Sequence, residues 1–177
     1  MLTRLIVPKQ AAGASTVYFD LFNAAGSASR IEIISVLPIV SGAVAVTGTL
    51  AVDLFLTRTT AVGTGGTAAT QGGTSLTAAM FSPHDWEGAM PGGGNITARL
   101  TPTGGATAGN VLAFRSVFTE ETADAAYNPQ HDLAASPAMA GRGGIVVKQG
   151  TGIRVVQGGV ASVGNIAFDV IFDILPA

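Results

Sequence analysis

The feature that most constrains this chain is an unbroken alternation near its C-terminal end. From Asn165 to Leu175, the residues Ile166, Phe168, Val170, Phe172 and Ile174 fall on one side of an extended chain. Ala167, Asp169, Ile171 and Asp173 fall on the other. Side chains of a strand point alternately to opposite faces, whereas a helix would scatter these positions around its circumference. A strand with one wholly apolar face needs a second apolar layer to cover it.

Runs rich in Val, Ile, Leu, Phe and Thr, bounded by Gly, Pro, Asn or Ser, recur along the chain and predict that layer. Thr16 to Phe22 alternates Val17, Phe19 and Leu21 against Tyr18, Asp20 and Phe22. Arg30 to Leu37 is apolar on both sides apart from Glu32 and Ser35, as in a central strand. Val44 to Thr57 sets Val52, Leu54 and Leu56 against Asp53, Phe55 and Thr57. Val111 to Thr119 sets Leu112, Phe114 and Ser116 against Val111, Ala113, Arg115 and Val117. Gly144 to Lys148 and Gly152 to Gln157 flank Gln149-Gly150-Thr151 and predict a tight hairpin. Leu5 to Val7, Ser75 to Ala79 and Asn95 to Leu100 are weaker strands.

The uncharged stretch from Ile33 to Val52 has about the length of a membrane helix. Its Val and Ile content, Pro38, Gly48 and the central Ser41-Gly42 predict two strands joined by a turn instead. The glycines of Val62 to Thr74 and Pro91 to Asn95 exclude helix there, and Pro102 to Asn110 is a long turn. Glu120 to Arg142 is the least strand-like part, broken by Pro129, Pro137 and Gly141, with room for a helical turn near Glu120 to Ala126. Many short strands, Gly/Pro turns and no long helix predict an all-β fold: a single β-sandwich, with the jelly roll as one option. The expected division is an N-terminal arm over residues 1–14 and a β-sandwich over 15–177, with an irregular excursion at about 120–142. The first ten residues lack the apolar stretch of a signal peptide and read as mature sequence.

Charge then limits what the sandwich can do alone. Only 11% of the residues are charged, against roughly 25% in an ordinary soluble domain. Hydrophobic residues make up 47%, and 24 of the 177 residues are Gly. Such a surface is poorly protected against association, so copies of the chain or a partner are expected to cover it. A net charge of −2 without a basic face excludes a nucleic-acid footprint. One Trp and two Tyr argue against a base-stacking platform. The absence of Cys excludes disulfides and thiolate metal sites. Neither a cofactor nor a membrane is expected.

Each motif that could carry chemistry has a simpler use. Gly63-Thr64-Gly65-Gly66-Thr67-Ala68 fits a loose dinucleotide-binding pattern, but Gln71-Gly72-Gly73 follows it where a helix is required. A flexible hairpin tip fits better. His84-Asp85 and His131-Asp132 contain the only histidines and could form a divalent metal site. The simpler reading is two loop turns in which Asp accepts nearby backbone amides. Asp20, Asp53, Asp169 and Asp173 sit in predicted strands. Asp169 and Asp173 share a face, but lie roughly 13 Å apart along a strand, too far for a catalytic pair. Solvent-facing or edge-protecting charge is their expected role. No G-x-S-x-G elbow is present. A lone Trp86 more often seals an interface than stacks on a ligand.

Leu50-Ala51-Val52-Asp53-Leu54-Phe55-Leu56-Thr57-Arg58-Thr59-Thr60, then Gly63 to Thr67, and later Gly150-Thr151-Gly152-Ile153-Arg154-Val155, resemble small β-rich virion proteins of tailed bacteriophages. The resemblance implies a non-enzymatic capsid decoration (cement) protein, or a related minor capsid or tail-associated module. It also implies a homo-oligomer, with a trimer favoured, that binds the major capsid protein or other virion proteins. The expected contact residues are Leu2, Leu5 and Ile6 of the arm, Met80, Phe81, Trp86 and Met90 of the middle loop, and Tyr127, Leu133 and Met139 of the excursion. The alternative is a glycan- or receptor-binding sandwich of a tail or fibre, using Trp86, Asp85, His84 and Asn95.

Overall fold

The computed structural model describes residues 1–41, 50–71, 80–83, 95–104, 108–119, 132–134, 144–161 and 164–177. The alternating C-terminal segment is strand β12 (Asn165–Pro176), and its five inward residues from Ile166 to Ile174 are at most 3% exposed. It lies between β3 (Ser29–Ser41) and β1 (Leu2–Ala11). The remaining strands are β2 (Val17–Asn23), β4 (Leu50–Thr59), β5 (Thr67–Ala68), β6 (Thr70–Gln71), β7 (Met80–Pro83), β8 (Ile96–Leu100), β9 (Ala108–Thr119), β10 (Ile145–Val147) and β11 (Thr151–Gln157). The fold is an all-β sandwich, and no helix occurs among the described residues.

The topology follows from one long antiparallel ribbon. The first half of the chain pairs with the second in reverse order: β1 with β12, β2 with β11, β3 with β10 and β4 with β9. The register moves inward from both ends, through Leu2↔Asp173, Phe22↔Gly152, Glu32↔Val146 and Leu54↔Arg115. The ribbon is rolled so that β12 also pairs with β3, and β11 with β4. Eight strands wound this way form a jelly roll. One sheet, A, runs β10-β3-β12-β1 and continues with β7 and β6. The other, B, runs β9-β4-β11-β2 and continues with β8 and β5. The segment between β4 and β9, at the tip of the ribbon, thus extends both sheets.

The core fills the space between the inner faces. The Phe168 ring of β12 lies 5.1 Å from Tyr18 and 5.5 Å from Phe19 on β2, in tilted contacts. Phe172 meets Phe81 edge-on at 6.3 Å. Such geometries add to the apolar area each ring removes from water. Tyr18 hydroxyl donates to Gln157 Oε1 at 2.5 Å, so the one polar atom of this aromatic cluster is matched. Burial also pushes the Tyr18 hydroxyl well above the usual phenol range.

Bulges explain where simple alternation fails. In β3 the register jumps between Ile33↔Phe172 and Ser35↔Ile171, leaving Ile34 as an extra residue. The inward set therefore changes phase, from Ile31 and Ile33 to Val36 and Pro38. This is why the strand reads as apolar on both sides. A shift between Val155 and Val156 likewise leaves Tyr18 unpaired in β2, where all residues from Tyr18 to Asn23 are buried.

Two sequence expectations are corrected. Residues 1–14 are not an arm, because Leu2–Ala11 pairs with β12 on one side and β7 on the other within sheet A. Gly144–Lys148 and Gly152–Gln157 do not form a hairpin. The chain turns at Gly150, which has a φ of 72°, but β10 joins sheet A and β11 joins sheet B. The weak strand at Ser75–Ala79 and the helical turn near Glu120–Ala126 lie outside the described residues.

Within the excursion, Asp132 to Ala134 docks on the edge of β3. Leu133 amide donates to Val36 carbonyl at 2.8 Å, and Val36 amide donates to Asp132 Oδ1 at 2.8 Å. The same oxygen accepts the Ala134 amide at 2.8 Å, which is the expected Asx turn. Pro38 is tolerated nearby because, among the described residues, β10 pairs with this edge at Ile31–Ile33 and not at position 38.

Candidate functional site

The strand carboxylates have defined partners in the fold. Asp20 is 1% exposed on the outer side of sheet B, so the expectation of a solvent-facing carboxylate is corrected. Its Oδ2 accepts the Gly63 amide at 2.6 Å, and its Oδ1 accepts the Arg99 amide at 3.0 Å. Arg99 and Arg154 are its cross-strand neighbours on β8 and β11. Burial raises the Asp20 pKa, opposed by the two amides and the two guanidinium groups.

The cover over Asp20 is the glycine-rich loop that fits the loose dinucleotide-binding pattern. Thr64 amide donates to Gly104 carbonyl at 2.6 Å, and Thr103 amide to Thr64 carbonyl at 3.0 Å. A Cβ at Gly63 would overlap the Asp20 carboxylate. Gly66 has a φ of 60° and lies against the Leu100 carbonyl. The anion received by this loop is therefore the protein's own.

The other three carboxylates lie on outer faces. Asp169 is bridged by Arg4 from the next strand, through Nε at 2.5 Å and through Nη2. That hydrogen bond is the main cause of a raised Arg4 pKa. Asp173 accepts the Met1 ammonium at 2.6 Å, and Asp53 accepts the Ser116 hydroxyl at 2.6 Å. Among the described residues, no group of three or more His, Cys, Asp or Glu is placed to hold a metal ion. His84, Asp85 and His131 lie outside the described residues.

The outer face of sheet A is apolar around the Arg4–Asp169 bridge. Leu2, Ile6 and Ile171 are half-buried there, while Ile34 and Ile39 are 48% and 39% exposed. In β1 the register jumps between Val7↔Phe168 and Gln10↔Ile166, so Pro8 and Lys9 share one opposing residue, Ala167. At this bulge a groove of about 710 Å³ opens, lined by Arg4, Ile6, Pro8, Lys9, Ile39 and Ala167 among others.

The expected contact residues separate into groups. Leu2 and Ile6 lie on this face. Leu5, Phe81 and Leu133 do not: they are 0%, 4% and 1% exposed and belong to the core, so they offer no surface to a neighbour. Met80 is placed by its backbone, in register with Ile6. Trp86, Met90, Tyr127 and Met139 lie outside the described residues.

Sequence reasoning missed the outer face of sheet B. Phe55 on β4 and Phe114 on β9 are directly opposite, with ring centroids 5.7 Å apart and planes 23° apart. Phe114 is 50% exposed. Asp53 and Ser116 form the next pair on one side of them. Thr57 lies on the other side, and its hydroxyl accepts from Arg154 Nε at 3.3 Å. No protein-family model, curated protein or solved structure matches this chain.

Proposed function

We propose that this chain is a non-enzymatic structural protein of a phage particle, a capsid decoration protein that sits as a homo-oligomer between neighbouring shell subunits. The observation that carries the reading is the outer face of sheet A. A sheet face turned to water ordinarily carries polar residues. Here Leu2, Ile6, Ile34, Ile39 and Ile171 lie among two ion pairs, Arg4–Asp169 and Met1–Asp173, and a groove. Covering apolar area contributes about 25 cal/mol per Å², and permanent interfaces are the more apolar class. The jelly roll serves in capsids, lectins and cupins, so it agrees with the role without selecting it. The strand aspartates hold strands and loops together, which favours a structural over a catalytic role.

Size-exclusion chromatography with light scattering tests this on the full chain. The expected species is an oligomer, with a trimer favoured, that attaches to preformed shells. Ile39→Lys is expected to give a folded monomer that no longer attaches. A wild-type chain that stays monomeric and ignores shells overturns the reading.

A further inference from the structure

We infer that the outer face of sheet B around Phe55 and Phe114 is a saccharide-binding platform. The argument is separate from the assembly role, which uses the opposite face of the sandwich. Three rows run across strands β9, β4 and β11 on this side. The first is Ser116 and Asp53, backed by Gly158. The middle row is Phe114, Phe55 and Val156, and the third is Val111, Thr57 and Arg154. Rows two residues apart along a strand are spaced by roughly 7 Å.

This order selects a sugar. A pyranose ring has an apolar C–H face and a rim of hydroxyls that donate and accept. The half-exposed Phe114 ring offers a flat apolar surface, held in place by its stack on Phe55. A Cβ at Gly158 would approach the Phe55 ring to 3.3 Å, so the glycine keeps that end of the aromatic row low. On one flank the Asp53 carboxylate accepts hydrogen bonds, and the Ser116 hydroxyl donates and accepts. On the other flank the Arg154 guanidinium supplies donors, its Nε seated on the buried Thr57 hydroxyl. A bulge assists: the register passes from Leu56↔Ala113 to Thr57↔Val111, which skips Leu112 and brings Val111 beside Phe114.

An added strand is the competing occupant, since among the described residues β9 is the long edge of sheet B. Arg115 argues against it, because its Nη1 donates to the Phe114 carbonyl at 2.8 Å and lays a cation along the strand. Charge on an edge strand discourages pairing. The rings, rather than the strand edge, are what this side presents.

Saturation-transfer NMR of the full chain with neutral gluco-, galacto- and manno-trisaccharides is the test. Transfer to ring C–H protons of at least one probe is expected. Phe114→Ala should weaken that probe by about fivefold to tenfold, and Phe114→Trp should retain it, which separates loss of the platform from loss of fold. Ser116→Ala should weaken it less. No transfer from any probe, or equal binding by Phe114→Ala, overturns the inference. A Phe114→Ala variant that changes the oligomer in light scattering, with no saccharide bound by the wild type, assigns this face to assembly and also overturns it.

Discussion

Asp20 Oδ2 accepts the Gly63 amide at 2.6 Å, tying β2 to a loop 43 residues further along the chain. The loop sits close enough that any side chain at position 63 collides with the carboxylate or with Pro102. Gly63→Ala is therefore expected to destabilise by at least about 2 kcal/mol, as overpacking does in a filled site. Urea unfolding of the two proteins measures it, and an unchanged midpoint would refute the close approach.

Asp20→Asn keeps the shape but turns one acceptor into a donor facing a backbone amide. A loss of about 1–3 kcal/mol near neutral pH is expected. The pH dependence gives a second reading. Burial raises the Asp20 pKa, so the folded state takes up this proton at a higher pH than the unfolded chain. Stability from this group therefore rises as pH falls from the raised value to the ordinary aspartate value, and the penalty of the buried charge is present in full above it. Asparagine has no proton to gain. The thermal midpoint of the wild type minus that of Asp20→Asn should grow as pH falls through this window, and a flat difference would show that burial does not govern the carboxylate.

Arg4 and Asp169 differ in exposure, with side chains 41% and 13% exposed. Removing Arg4 leaves a largely covered carboxylate without its bidentate partner, whereas removing both leaves neither charge stranded. Arg4→Ala is expected to destabilise more than the double change to Ala at both positions. The pair itself should couple by no more than about 1 kcal/mol, because solvent reaches the guanidinium. A double-mutant cycle on urea midpoints reads both quantities.

Asp132 holds the excursion to β3 through the amides of Val36 and Ala134. Asp132→Ala removes that acceptor from both. Faster hydrogen exchange is expected at Val36 and at Leu133, whose amide bonds to Val36 carbonyl in the same turn. A global loss of about 1–3 kcal/mol should accompany it. Unaltered exchange at Val36 would mean that the backbone bond alone secures the segment.

How far the sequence could be read depended on what each strand touches. β12 and residues 52–56 of β4 are plain, because each has one face in the core and one outside it. β1 is longer than its sequence pattern predicts, because Pro8, Lys9 and the bulge interrupt the alternation after Val7. Gln149-Gly150-Thr151 announces a reversal, but turn residues do not say which sheet the chain enters next, so the sequence predicts a hairpin where the chain crosses between sheets. The burial of Asp20 was hidden because its cover comes from a distant loop whose glycines suggest other chemistry. The Phe55–Phe114 pair was present as two residues on non-core faces, and only the register of β4 with β9 joins them. The groove of sheet A draws on β1, β3 and β12, so no local window contains it.

The adjacency of β1 and β12 at the middle of sheet A has a consequence for biosynthesis. A chain leaving the ribosome can bring β1 through β4 into being early, but the slot between β1 and β3 stays empty until residues 165–176 have emerged. Sheet A therefore cannot close before residue 176 has left the ribosome, and until then the inner sides of β1 and β3 stay bare.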